Sequence, residues 1–102
     1  MNHVNLIGKV CTAPRIYELP NGRKIARFTL QTSETYLDEE GNTKSRKYKH
    51  LMSAWGLWTK VLEGTGKNLE LAIEGKLISR FYIRNGQKHF VSEVEVNDLI
   101  IL

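Results

Sequence analysis

Hydrophobic and polar residues alternate with period two along most of this chain, and the period becomes helical only once. Residues 3–10 place Val4, Leu6 and Val10 on one face and His3, Asn5, Ile7 and Lys9 on the other, which is a strand pattern. Ile7 among these polar neighbours predicts that the second face is partly covered by a neighbouring subunit. Gly8 inside the pattern predicts a bulge or sharp bend. After Ala13-Pro14, residues 15–19 read as a further strand stretch. Pro20-Asn21-Gly22 supplies turn chemistry, because proline sets φ and Asn-Gly accepts positive φ. Residues 23–35 then alternate, with Ala26, Phe28, Leu30 and Thr32 inward and Arg27, Thr29 and Gln31 outward.

A polar loop over 38–44, with Gly41-Asn42 at its tip, leads into a third strand over 47–55. Leu57, Val61 and Leu62 then recur at helical spacing, and Gly64 and Gly66 end the run. The spacing predicts one short helix over 57–63 that depends on docking for its stability. Residues 68–78 alternate again, Arg84-Asn85-Gly86-Gln87 forms a second hairpin turn, and 90–102 close the chain. This order predicts an all-β fold: a five-stranded Greek-key barrel of the OB type, with one short helix between strands 3 and 4. At 102 residues the chain has room for one core, so residues 1–102 are expected to form a single domain.

Composition narrows the function classes. Hydrophobic content of 41% and charged content of 25% are ordinary globular values. The single cysteine, Cys11, excludes an intrachain disulfide and a tetrathiolate zinc site, and a small buried hydrophobe is its default role. The opening decapeptide is interrupted by Asn5, Gly8 and Lys9 and does not read as a signal peptide, so a cytoplasmic protein is expected, with no membrane partner. His3, His50 and His89 lack metal-ligand spacing, and no phosphate-binding loop, nucleophile elbow or dinucleotide fingerprint is present. Neither catalysis nor a cofactor or metal is expected.

Charge placement says more than the net charge of +4. Residues 44–50 contain Lys44, Arg46, Lys47 and Lys49 without an acid. Residues 76–90 contain Lys76, Arg80, Arg84 and Lys88, again without an acid. Either window alone would be a solvated face. Both, however, carry aromatics: Tyr48, Trp55 and Trp58 in or beside the first, Phe81, Tyr82 and Phe90 in the second. Cations for phosphates beside flat rings for unpaired bases is the requirement of single-strand binding. Phe28 and Phe90 are expected in the core or at a hairpin base, and Trp58 in packing. For Trp55 the binding and packing readings balance, and Tyr36 at the loop rim is the better exposed ring.

Several segments together resemble the bacterial single-stranded DNA-binding protein family: Asn2–Gly8 (NHVNLIG), Pro20–Thr29 (PNGRKIARFT), Thr32-Ser33-Glu34 with Tyr36, Trp55-Gly56, Ile73–Leu77 (IEGKL) and Glu93–Val96 (EVEV). The resemblance implies a homotetramer or dimer of OB folds that wraps single-stranded DNA in replication, recombination and repair. It implies stacking roles for Tyr36, Trp55 and Phe81, and a subunit-interface role for His50. His3, Asn5 and Ile7 on the first strand are expected at the same kind of interface. The sequence departs from the family at Lys49, where a tryptophan is usual, and at Leu57, where a basic residue is usual. The family's linker and acidic tip have no counterpart before Leu102, which reads as truncation or as a tail-less relative. The chain also resembles the related primosomal replication protein, notably at Gly8–Pro14 (GKVCTAP). The alternative function is accordingly a replication-restart module acting through protein contacts, and RNA stays open as a ligand.

Overall fold

A computed structural model describes all 102 residues. In chain order the elements are β1 (Val4–Glu18), β2 (Lys24–Leu37), β3 (Thr43–Trp55), α1 (Leu57–Leu62), β4 (Glu70–Arg84) and β5 (Gln87–Ile101). The strands close a barrel in the order β1-β2-β3-β5-β4. Neighbours run antiparallel except β3 and β5, which meet in parallel at Met52↔Val94 and Ser53↔Glu95 and complete the closure. This is the predicted OB barrel, with its helix between β3 and β4.

The core follows the alternation. Val10, Phe28, Leu30, Met52, Leu71, Ile73, Val94, Val96 and Leu99 fill the barrel, each worth about 1.5–3 kcal/mol when fully buried. The helix docks differently from its sequence pattern. Leu57 and Val61 are 79% and 40% exposed, whereas Leu62 and Thr59 are buried and Trp58 packs against the core. The helix is too short for a whole apolar stripe, so a threonine whose hydroxyl donates to the Gly56 carbonyl at 2.6 Å replaces one apolar contact.

The stretches at 3–10 and 15–19 are one strand. β1 pairs with β4 through residues 4–9 and with β2 through residues 9–18, so a single strand serves two parts of the barrel. Its irregularities lie between Val10 and Thr12 and between Thr12 and Arg15, not at Gly8. They absorb Cys11 and Pro14, where a missing ladder donor costs least. Cys11 is only half-buried, and its thiol donates to the Thr29 carbonyl at 3.4 Å. Gly8 and Gly75 are instead sites of close backbone approach, to the carbonyls of Gln31 and Glu95 respectively.

Both hairpins are longer than the sequence predicts. The polar loop shrinks to 38–42, where the Asp38 carboxylate accepts from the Glu40 and Asn42 amides at 3.0 and 2.8 Å. β2 and β3 therefore stay paired out to Leu37↔Thr43. β4 and β5 stay paired out to Arg84↔Gln87, across a turn with Asn85 and Gly86 at φ 52° and 76°. The extents of 55 × 37 × 29 Å show one axis much longer than the others.

One buried polar atom has no partner, the Ser53 hydroxyl, on a residue 1% exposed. Ser53→Ala is therefore expected to leave stability unchanged or raise it by up to about 1 kcal/mol. Thermal melting checks this, and a lower melting temperature would count against it.

Candidate nucleic-acid interface

Strand parity sorts the first window into two faces. The unbroken β2–β3 register puts Lys44, Arg46, Tyr48 and His50 on the side that continues the core-facing row. Lys47 and Lys49 lie on the opposite side with Leu51 and Trp55. On the first side, Arg46 lies over the Tyr36 ring at 4.4 Å, and the Tyr48 hydroxyl donates to Glu34 at 2.9 Å. Tyr36, then Tyr48 and Glu34, hold the Arg46 guanidinium above its already high ordinary value, so it is always charged. Tyr36 is less exposed than its place at the loop rim predicts, because the β2–β3 ladder continues past it. His50 shares a 2.9 Å hydrogen bond with the Thr32 hydroxyl.

On the second side, Trp55 is half-buried and Arg23 lies over its ring at 4.4 Å. Arg23 sits in the Pro20-Asn21-Gly22 turn region, outside both sequence windows. A cleft beside this pair is lined by Arg23, Lys24, Gly56, Leu57 and Lys60 as well as Trp55. Lys60 thus supplies positive charge close to Leu57.

The β4–β5 hairpin carries an aromatic pair on each face. Phe81 and Phe90 face each other across the strands with centroids 6.3 Å apart, and are 54% and 71% exposed. Phe90 is therefore not a core residue, and of the two sequence expectations only a place in the hairpin remains. Lys88 lies over Phe81 at 4.1 Å and reaches Phe90 at 5.5 Å. On the opposite face Tyr82 stacks on His89 at 5.3 Å with a 20° interplanar angle. Counting outward from the two-residue Asn85-Gly86 turn would have found Phe90, Tyr82 and His89, because that turn sets the register Phe81↔Phe90 and Tyr82↔His89.

The acid-free appearance of the second window does not survive folding. Glu93 is 3% exposed and accepts from Arg80 Nε at 2.6 Å and from Arg27 at 3.0 Å. Glu95, directly opposite Lys76, lies 3.6 Å from its ammonium. Arg84 and Lys88, by contrast, have no carboxylate within ion-pair distance, and neither do Lys44, Arg46, Lys47 and Lys49.

Asn5 and Ile7 lie on one exposed face of β1, as the alternation predicts, and the exposed His3 immediately precedes the strand. The register extends that face to Ala72 and Ile100, in a row Ile7↔Ala72↔Ile100, with Ile7 66% and Ile100 61% exposed. His50 is not part of it. No group of three or more histidines, cysteines and carboxylates is placed to hold a metal ion, and no helix is long and apolar enough to cross a membrane.

Comparison with known proteins bears on the family and the fold. The chain is 32% identical over 105 residues to single-stranded DNA-binding protein 1 of Chlorobaculum tepidum, all of this chain matching 65% of that protein's length. Among solved structures, the Plasmodium falciparum SSB in complex with ssDNA superposes with a TM-score of 0.88 at 29% identity, covering 100% of this chain and 95% of that one. The fold is shared with a deletion mutant of the Thermus aquaticus single-stranded DNA binding protein, with a TM-score of 0.87 at 23% identity over 100% of this chain and 50% of that one. The single-strand binding protein family model matches residues 1–102, and the chain belongs to that family.

Proposed function

We propose that this domain binds single-stranded DNA without strong sequence preference and without catalysis, as part of a homo-oligomer acting in replication, recombination or repair. The observation that carries the reading is the pairing of each stacking candidate with its own cation: Trp55 with Arg23, Tyr36 with Arg46, Phe81 with Lys88. A ring and a cation in contact provide a platform for a base and a partner for its phosphate within one nucleotide's reach. The arrangement occurs on both extended hairpins and at the end of β3, so the platforms are spread over several elements rather than gathered in a single pocket. No feature of comparable geometry supports the protein-contact alternative.

Lys44, Lys47, Lys49, Arg84 and Lys88 are the free cations that would follow the phosphates, while Lys76 and Arg80 are partly neutralised. Subunit association is best served by the face bearing His3, Asn5 and Ile7, because an exposed isoleucine–alanine–isoleucine row on the barrel wall is apolar surface left facing water at a cost. Replication or primosome proteins are further candidate partners.

Titration with oligo-dT at several salt concentrations tests the reading. Binding should be tight at low salt and quench tryptophan fluorescence, with log K falling linearly in log[salt] by about 0.7 per phosphate contacted. No binding at low salt would overturn it. Competition by oligo-U measures how far DNA is preferred over RNA.

A further inference from the structure

The outer face of β1, β2 and β3 carries a cation cluster of which only Arg80 lies in a sequence window. Arg15 on β1 is directly opposite Arg27 on β2, and Arg27 is opposite Ser53 on β3. Arg80 reaches the same place from β4 because Glu93 holds it there together with Arg27. Arg15, Tyr17, Arg27, Leu51, Arg80 and Glu93 line one groove of about 240 Å³. The same face carries Lys49 and Trp55 further along β3.

The groove combines three guanidiniums with one carboxylate, so it keeps a net positive charge. Arg15 is exposed and has no carboxylate within ion-pair distance. The Arg27 and Arg80 side chains are 35% and 41% exposed, whereas that of Glu93 is 2% exposed. Each arginine therefore spends part of its donor fork on a buried acceptor and turns the remainder to solvent. A carboxylate this buried is costly unless paired, and two arginines from different parts of the barrel satisfy it. Their mutual repulsion would separate them without it.

We infer that Arg15, Arg27 and Arg80 form a phosphodiester subsite, in which Glu93 positions Arg27 and Arg80, that carries a bound single strand between Trp55 and the β4–β5 hairpin. The inference rests on the proposed single-strand binding and names a further part of that path. Glu93 is a positioning residue for Arg27 and Arg80: it touches these two arginines, not the ligand. The geometry serves backbone contact rather than base recognition, because arginines whose orientation is set in advance lose less freedom on meeting a phosphate.

Oligo-dT titrations of the full chain at several salt concentrations test this, alongside circular dichroism melts of each variant. Arg15→Ala removes an exposed side chain, and its expected effect is a roughly 3- to 10-fold loss of affinity with a salt slope shallower by about 0.7. Glu93→Gln raises the net charge by one, so binding driven by charge alone would tighten. The subsite requires instead that Glu93→Gln weaken binding severalfold, with secondary structure retained. If Glu93→Gln does not fold, Arg15→Ala decides by itself. Unaltered binding by Arg15→Ala, or tighter binding by a folded Glu93→Gln, would overturn the subsite while leaving single-strand binding in place. Failure of the unaltered protein to bind at low salt would remove both.

Discussion

Gly75→Ala is expected to destabilise the domain by about 3 kcal/mol, the upper end of what overpacking costs. A Cβ there would overlap the Glu95 carbonyl oxygen and crowd its carbon and a Val94 methyl, both at 3.1 Å. The obstacle is mainly backbone, so no rotamer change relieves it. Gly75 also sits at the β4–β5 register shift and is directly opposite Val4, so three strands converge on it. For a domain of this size the loss corresponds to a melting temperature lower by roughly 12–24 °C. Thermal melting of Gly75→Ala against Gly86→Ala separates two kinds of glycine. Gly86 has open space around its Cβ position and would be strained only through its φ of 76°. A Gly75→Ala variant that melts like the unaltered protein would show that β4 shifts more easily than the closed barrel allows.

Phe81→Ala combined with Phe90→Ala is expected to weaken oligo-dT binding by roughly 10- to 100-fold, the scale of one stacked base. The two rings form one cross-strand platform with Lys88 over it, so they are treated as a unit. The single variants should not add, because each leaves half of a shared surface. The loss should be alike for oligo-dT and mixed-sequence DNA, since every base has a face to stack. Stability should change little, because both rings are more than half exposed. The decisive comparison is the salt slope. It should stay close to that of the unaltered protein, since no cation is removed, whereas Lys88→Ala should lower it by about 0.7. A double variant that lost affinity only for one base composition would contradict the stacking role.

Reading this fold from sequence worked where local physics sets the outcome. The period-two runs, the Pro20-Asn21-Gly22 and Asn85-Gly86 turns and the short helix before Gly64 all lie where expected. Each depends on residues within a few positions of one another. The extents of the strands were less legible. Residues 43–46 and 79–84 do not alternate between apolar and polar, because both faces of a projecting hairpin are wet. Register carried outward from a tight turn keeps them paired regardless of pattern. Leu57 and Val61 misled for a related reason, since two turns of helix are too few for apolar spacing to identify the docked side.

The candidate site was legible as composition and not as geometry. Lys, Arg and aromatic side chains gathered in two stretches sufficed to indicate single-strand binding, because the requirement is for residue types near one another and the strands hold them so. Tyr36, Trp55 and Phe81 are all paired with cations, yet for Trp55 that cation is Arg23, from the other side of a turn and outside both windows. Phe90 is exposed because it precedes the part of β5 that enters the core, which begins beyond it at Val94.

By itself, then, the sequence determined the strand and helix order, the two turns, the barrel and the presence of a basic-aromatic surface. Alternation, turn chemistry and local charge density are properties of neighbouring residues, and a chain displays them before it folds. Only the tertiary structure decided which cations remain free. Glu93 is 66 residues from Arg27 and 13 from Arg80, and closure of the barrel brings the three together. A window empty of acids in sequence is open to carboxylates from any strand laid beside it, so electrostatic partnership waits on register and closure.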